Sequence, residues 1–310
     1  MLGKSEQIDY CMQPNRLLIE LDNLACNATP TMLPGCVAFI VGANPSKGAR
    51  SPRLWNAAFR DLQIDGEMFP LDVLSDQIER LGMLLELDRR VVGVAIAAPY
   101  KSEFAKIFSG QLLPAARRAG SINLLYRQPD GSFIGNNTDG LAAVESLREM
   151  EPNLAEKNIL VLGCGATGRA VIASLVEVVG TQGVSVAYRN SQHQEWLDGV
   201  GVLSSPMSSV STVLGDKSIV INCTSVGWGS QTDQSPLTVN ELGLLPKDSV
   251  VFDVIYQPDP SKLLISARSL GLRTLSGSRM NLLQAALAFC LSLPDANRDS
   301  VMESMRSAMV

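Results

Sequence analysis

The chain has 310 residues, of which 46% are hydrophobic and 18% charged, a balance that gives folded globular domains rather than disorder and is long enough for two cores. Its 26 basic and 31 acidic residues leave a formal net charge of −5, with no basic stripe to follow a phosphate backbone, so nucleic acid is not an expected partner. The longest apolar runs, about ten residues, are too short to span a bilayer, and the opening "MLGKSEQIDYCMQPN" lacks the layout of a secretory signal, so no membrane association and a cytoplasmic location are expected.

The first thirty residues carry no pattern that fixes an element. Residues 37–44, "VAFIVGAN", read as a buried strand. The amphipathic "SPRLWNAAFRDL" follows as a helix, with Ser51 expected as its N-cap and Pro52 at the first helical position. A strand near "GEMFPLDV", a charged helix over 75–90 and the strand "VVGVAIAA" come next, and Pro99 is read as opening the following helix, with Lys101 close behind. A second set starts at "KNILVLGCGATGRAVIASLVEVV" (157–179) and continues through "VSVAYR", "SIVINCTS" and "SVVFDVIY". An apolar helix over Met280–Phe289 and an amphipathic one near 297–309 close the chain. This alternation predicts an α/β fold with parallel sheets. The boundary between the two sets falls at the helix starting near Thr138–Gly140.

Cys11, Cys26, Cys36, Cys164, Cys223 and Cys290 form no CxxC pair and are expected as reduced, buried thiols. His193, the single histidine, lies in the polar "RNSQHQEW" and is expected to be exposed. One histidine gives no basis for a His triad or a multi-His metal site, so no metal is expected. Acid–base chemistry then falls to Lys, Asp, Glu or Tyr.

The strongest local motif is "ILVLGCGATGRA", a strand running into Gly163, Gly165 and Gly168 and then a helix. Glycines there permit a tight turn and close backbone approach, and the helix N–H groups face a pyrophosphate. The next strand ends in Tyr188, Arg189 and Asn190, with no carboxylate to accept from a ribose 2′-hydroxyl. Arg189 therefore points to NADP over NAD, the alternative being a solvated surface arginine. "GNNTDG" (135–140) alone reads as a turn, and Lys101 alone as a solvated lysine. Together they carry more, because Lys101 and Asp139 both sit at strand-to-helix junctions, which border the ligand crevice of open α/β sheets.

The ordered set "SPRLWNAAF", "GVAIAAPYK", "AGSINLL", "GNNTDG", "GCGATGRA", "INCTSVGW", "FDVIYQP" and "GSRMNLLQAALAF" resembles the shikimate dehydrogenase family from about residue 38 to 292. The resemblance implies an N-terminal α/β substrate domain, 1–139 completed by C-terminal helices over 277–310. It also implies a Rossmann-type NADP-binding domain over 140–276, joined to the first across a cleft. The implied reaction is reversible NADP-linked reduction of 3-dehydroshikimate to shikimate. The family's catalytic lysine falls on Lys101 and its paired aspartate on Asp139. Its substrate-binding residues fall on Ser51, Asn123, Tyr256 and Gln284. Cofactor contacts are expected from Gly163, Gly165, Ala166, Thr167, Gly168, Arg189 and Thr224. In this picture Lys101 removes the hydroxyl proton while Asp139 orients its ammonium.

Several positions depart from the family pattern. Ala49 stands at the first of two serines, Ala97 at a threonine, Ala95 at an asparagine, Trp55 at a histidine and Trp228 at a methionine. With the lysine–aspartate pair kept and substrate-facing positions changed, the expected ligand is a cyclic hydroxy acid with altered preference. Quinate or another hydroxy acid, or a non-catalytic ligand sensor, are the alternatives. Either a monomer or a homodimer fits.

Overall fold

Runs of β-branched residues form strands here wherever both faces are covered. The computed structural model describes residues 16–309, so Cys11 lies outside the described residues. The chain divides into two compact units, Met1–Thr138 with Ala285–Val310, and Asp139–Gln284.

The first unit begins with α1 (Arg16–Leu24), β1 (Cys36–Gly42), α2 (Ser51–Asp61), β2 (Gly66–Asp72), α3 (Ile78–Leu87) and β3 (Val91–Ile96). It continues with α4 (Lys101–Ile107), α5 (Pro114–Ala119), β4 (Leu124–Arg127) and β5 (Phe133–Asn136). Among the described residues these strands make one five-stranded sheet in the order β2-β1-β3-β4-β5. β1 runs parallel to β2 and β3, but β4 is antiparallel to both β3 and β5. The sheet is therefore mixed, not parallel as expected. The reason is local: "QPDGS" closes a hairpin, with Gly131 N donating to Gln128 O at 2.8 Å and Gln128 N to Ser132 O at 2.8 Å. Arg127 locks that hairpin to the end of α3. Its guanidinium donates to the carbonyls of Leu85, Glu86, Asp88, Val91 and Gly131 and lies 4.5 Å over the Phe133 ring.

Leu17, Leu21 and Leu24, spaced as one helical face, bury α1 against the core formed by Val37, Phe39, Val41, Val94, Ile96 and Phe104. Ser51 is the first residue of α2, and Arg50 holds the N-cap position, so the expected capping role of Ser51 is corrected. The expected helix over 75–90 is shorter, a 3₁₀ turn at Ser75–Gln77 followed by α3. Pro99 does not open a helix; α4 starts at Lys101, with Tyr100 at its N-cap position.

The second unit contains α6 (Asp139–Met150), β6 (Ile159–Leu162), α7 (Ala166–Val179), β7 (Val184–Tyr188), α8 (Gln194–Val200) and β8 (Leu203–Pro206). After these come β9 (Ile219–Asn222), α9 (Val239–Leu242), β10 (Val250–Asp253), α10 (Lys262–Ser269) and β11 (Arg273–Ser276). Their six-stranded sheet is ordered β11-β10-β9-β6-β7-β8, and every pairing in it is parallel. Read from its other edge, this is the doubly wound order 3-2-1-4-5-6, whose direction of winding reverses between β6 and β9. β6, β9 and β10 are buried along their whole length, whereas the edge strands β8 and β11 are partly exposed.

α11 (Gly277–Ser292) and α12 (Arg298–Ser307) end the chain. Phe289, in the part of α11 that belongs to the first unit, packs edge-on against Trp55 and Phe59 at 5.0 Å between centroids in each pair. Trp55 is 1% exposed, so it is a core residue and not the substrate-facing bulk that its departure from the family pattern suggested. Among the described residues the cysteines are free thiols, of which Cys164 is buried, Cys26 exposed, and Cys36, Cys223 and Cys290 lie between. The expectation of uniformly buried thiols is thus corrected. No helix among the described residues is long and apolar enough to cross a membrane.

Candidate active site

In the first unit, the connections leaving β1 and β3 pass to α2 and α4, so the carboxyl ends of these neighbouring strands form a switch point of the sheet. Ala97 N donates to Val41 O at 2.8 Å just there. Ser51, buried at 8% exposure, opens α2, and the half-buried Lys101 opens α4. Tyr100 fixes the approach to Lys101, its hydroxyl donating to Val73 O at 2.6 Å. Lys101 O accepts from Ile122 N at 2.9 Å, which brings the segment carrying Asn123 to the same place.

"GNNTDG" is not a loose turn. Asn123 and Thr138 bond reciprocally: Asn123 Nδ2 donates to Thr138 Oγ1 at 2.9 Å, and Thr138 N donates to Asn123 Oδ1 at 2.8 Å. Asn137 Nδ2 donates to both the carbonyl and the hydroxyl of Ser121 at 3.1 Å. These four residues are buried. Asn123, expected only as a substrate ligand, therefore also anchors the residue that precedes Asp139.

In the second unit Asp139 opens α6 and is 4% exposed. Thr167 Oγ1 donates to its Oδ2 at 3.4 Å, which joins Asp139 to the glycine turn between β6 and α7. Gly163 holds φ +94°, and a Cβ on Gly168 would lie 2.4 Å from Gly163 O, so the first and third glycines are required by geometry. A Cβ on Gly165 would meet nothing within 4 Å. The turn thus leaves open space at its middle glycine, directly before Ala166, where α7 begins with its unbonded N–H groups. That is the cradle a pyrophosphate needs.

Thr224 packs on the turn: a Cβ on Gly163 would fall 2.8 Å from Thr224 Cγ2. Asn222 positions Thr224 by accepting from its N and Oγ1 at 2.9 and 2.7 Å. Asn222 Nδ2 donates to Val226 O at 3.2 Å and to Asp253 Oδ1 at 3.0 Å. Asp253 accepts further from Ser261 Oγ at 2.5 Å and Ile255 N at 3.1 Å. Burial pushes the Asp253 carboxyl up to about 6 despite these bonds, and burial likewise raises the Cys223 thiol, with the nearby Asp253 carboxylate adding to the effect. Sequence reasoning missed this network. Its signal was a polar residue ending each of two wholly apolar strands, "IVIN" and "VVFD".

Arg189 follows β7, is exposed, and makes no hydrogen bond or ion pair among the described residues. His193 is half-buried rather than exposed as expected, because Arg169 of α7 places Nη2 3.0 Å from its Nδ1. Burial and the Arg169 charge both lower the His193 pKa. Tyr256 is half-buried in the segment after β10. Gln284 lies on α11, its Nε2 donating to Asn281 O at 3.1 Å, and Trp228 is 53% exposed. The first unit thus brings the segment of Asn123 to Lys101, with Ser51 at the start of the helix that follows the neighbouring strand β1. The second brings together Asp139, Thr167, Ala166, the three glycines and Thr224, with Arg189 at the end of the strand next to the turn. No group of three or more metal-ligating side chains forms among the described residues.

A doubly wound parallel sheet with an open glycine turn, together with a second α/β unit that has its own switch point, defines a dinucleotide-linked two-domain protein. The family model for the shikimate dehydrogenase substrate binding domain matches residues 41–125. Shikimate dehydrogenase (NADP(+)) of Rhodospirillum rubrum is 34% identical over 263 residues, 82% of this chain and 90% of that protein. The enzyme of the same name from Symbiobacterium thermophilum is 31% identical over 273 residues, 83% and 88% of the two chains. The crystal structure of Thermus thermophilus shikimate 5-dehydrogenase in complex with NADP(H) and shikimate superposes with a TM-score of 0.74 at 26% identity, covering 88% of this chain and 99% of that one. The chain belongs to the shikimate dehydrogenase family of oxidoreductases.

Asp253 gives a pH prediction. Its folded pKa of about 6 lies above the ordinary 3.8, so the folded state keeps a proton that the unfolded chain releases. The resulting stability is fully present below about pH 4 and is lost as pH rises through 6, up to about 3 kcal/mol in all. Asp253→Asn keeps the shape and removes the titration. Denaturant unfolding should show the variant gaining on the natural protein by that order between about pH 4 and 7; a difference that is constant with pH would contradict the assignment.

Proposed function

We propose that the protein catalyses the reversible NADP-linked interconversion of shikimate and 3-dehydroshikimate, or of a closely related cyclic hydroxy acid and its ketone. The reading is carried by the family relationship together with Lys101 at the switch point of the first sheet and an open glycine turn in the second. It includes a cytoplasmic location and a monomer or homodimer.

In the oxidative direction Lys101 takes the proton from the substrate hydroxyl, and in the reductive direction it returns the proton to the carbonyl oxygen. Asp139 orients the Lys101 ammonium and accepts from a substrate hydroxyl. Ser51, Asn123, Tyr256 and Gln284 hold the carboxylate and the remaining hydroxyls. Ser51 is suited to this, because it opens α2 and its hydroxyl makes no hydrogen bond among the described residues. NADP, when bound, supplies or accepts the hydride at its nicotinamide. The α7 N–H groups after Gly165 receive the pyrophosphate, Thr224 lies beside them, and Arg189 meets the 2′-phosphate.

Ala49 and Ala97 favour a second reading, an altered substrate such as quinate. Both are half-buried and stand where the family has hydroxyls, so neither donates to a ligand. Losing one bond to a charged group and one to a neutral group weakens binding by about 2.5–4 kcal/mol, two to three decades.

Lys101→Ala should lower turnover by about 10²–10⁴-fold while NADP binding persists. Retention of more than about a tenth of the activity removes the role given to Lys101. Titrations of NADP and NAD should show NADP preferred, with Arg189→Ala eroding the preference by about one to two decades. Equal or tighter binding of NAD by the natural protein contradicts this. Steady-state kinetics should show poor use of shikimate by the natural protein and improvement in the double variant Ala49→Ser, Ala97→Thr. Efficient turnover with no gain in the variant leaves shikimate itself as the substrate.

A further inference from the structure

The chain's only histidine sits four residues beyond Arg189, in the turn that follows β7. In a doubly wound nucleotide fold this turn borders the 2′ position of the adenosine ribose. His193 is in contact there with a second cation. Arg169 Nη2 lies 3.0 Å from His193 Nδ1, and a guanidinium has donors only. Nδ1 must therefore accept, which puts the ring proton on Nε2 and holds the imidazole neutral. Arg169 is itself held in place, its guanidinium carbon lying 5.1 Å over the Trp196 ring.

The charges around the ring are few. From α7, Arg169 faces it. On its own side, Arg189 precedes it and Glu195 and Asp198 follow, both exposed, with Asp198 accepting from Gln194 at 2.7 Å. Before a ligand arrives, the charge in contact with the ring is Arg169, and the carboxylates that follow in sequence are exposed to solvent, so a further positive charge on the ring is opposed. A phosphate bearing nearly two negative charges reverses that effect. It also offers acceptor oxygens to which Arg169 can turn, freeing Nδ1 to take a proton.

We propose that His193 is a specificity-determining residue for the cofactor, receiving the ribose 2′-phosphate together with Arg169 and Arg189 and taking up a proton from solvent as it does so. The inference rests on the NADP reading above and deepens it. It makes the preference for NADP over NAD depend on pH, since NAD carries no group at that position. One proton leaves the buffer and joins Nδ1, and no covalent bond to the cofactor changes.

Calorimetric titrations of NADP and of NAD, in two buffers of different ionisation enthalpy at about pH 6, 7 and 8, test it. The natural protein, His193→Gln and His193→Arg are compared. The 2′-phosphate's own titration, near pH 6, is common to all three proteins and cancels in the comparison. The natural protein should take up a fraction of a proton with NADP near pH 7. Its NADP-to-NAD affinity ratio should fall about tenfold from pH 6 to 8 relative to His193→Gln, the worth of one charge-assisted bond. His193→Arg should hold a high ratio across the range. NAD affinity should be alike in all three proteins, which reports that each is folded. NADP preference with the same pH dependence in the natural protein and His193→Gln overturns the proposal. Absence of NADP preference at every pH in the natural protein, with Arg189→Ala inert, overturns the cofactor reading and this proposal with it.

Discussion

The course of the chain that leads into Asp139 depends on two side-chain amides. Asn123 and Asn137 hold Thr138 and the carbonyl and hydroxyl of Ser121, four hydrogen bonds of 2.8–3.1 Å with both asparagines buried. Without them the segment after β5 would be a polar turn with no fixed course. Each partner is removed from water, so leaving one unpaired costs about 1–3 kcal/mol. That penalty makes the clasp all-or-none. The residue after the clasp is Asp139, which begins a helix with its carboxylate in the first turn, where the helix dipole favours negative charge. The asparagine proposed to bind substrate thus also has a structural task, the hold on Thr138. Replacing Asn123 disturbs the segment that leads into α6 as well as any ligand contact.

The second unit uses the same device at its own strand ends. β9 and β10 are apolar until their last residues, Asn222 and Asp253, which are fully buried. A buried carboxylate in such surroundings is costly unless hydrogen-bonded, and three donors converge on Asp253. Through Asn222 those bonds reach Thr224, and through Thr224 the wall of the glycine turn. The order of the turn therefore comes from a polar network behind it as much as from its glycines. Glycines alone would permit many turns; the network selects one.

Much of this was legible in the sequence. The alternating strands and helices, the glycine turn and the junction residues Lys101 and Asp139 follow from periodicity and spacing, because parallel strands buried on both faces write continuous apolar runs. The hairpin of β4 and β5 was missed although "PDG" announces it, since the neighbouring runs are short and β5 contains a glycine. β8 and β11 escaped because edge strands are partly exposed and carry little apolar signal. The position of Trp55 could not be read, because its partner Phe289 lies over two hundred residues away and no local pattern couples them. The Arg169–His193 contact was hidden for the same reason: β7 separates its partners along the chain, and each alone looks like a solvated surface residue.

The departures at Ala49 and Ala97, set against the retained Lys101 and Asp139, reflect how differently the two kinds of interaction are distributed. Substrate recognition is a sum of single hydrogen bonds, each contributing about 1–3 kcal/mol. Any one can be dropped, and a different ligand or an ordered water can take its place. In the proposed mechanism proton transfer is concentrated in one group at one atom, Lys101, so it is not shared among neighbours in the way that recognition is. The sheet reinforces the asymmetry. Ala97 lies where a Cβ on Gly42 would come within 2.9 Å of its own Cβ, so β1 and β3 approach closely at the switch point and a small residue is easily accommodated there. Lys101 emerges beyond that pinch, at the start of α4, where the carbonyl bond to Ile122 and the Tyr100 anchor fix its backbone whatever stands at 97. The scaffold can therefore change side chains at the switch point without moving the residue proposed to act on the substrate.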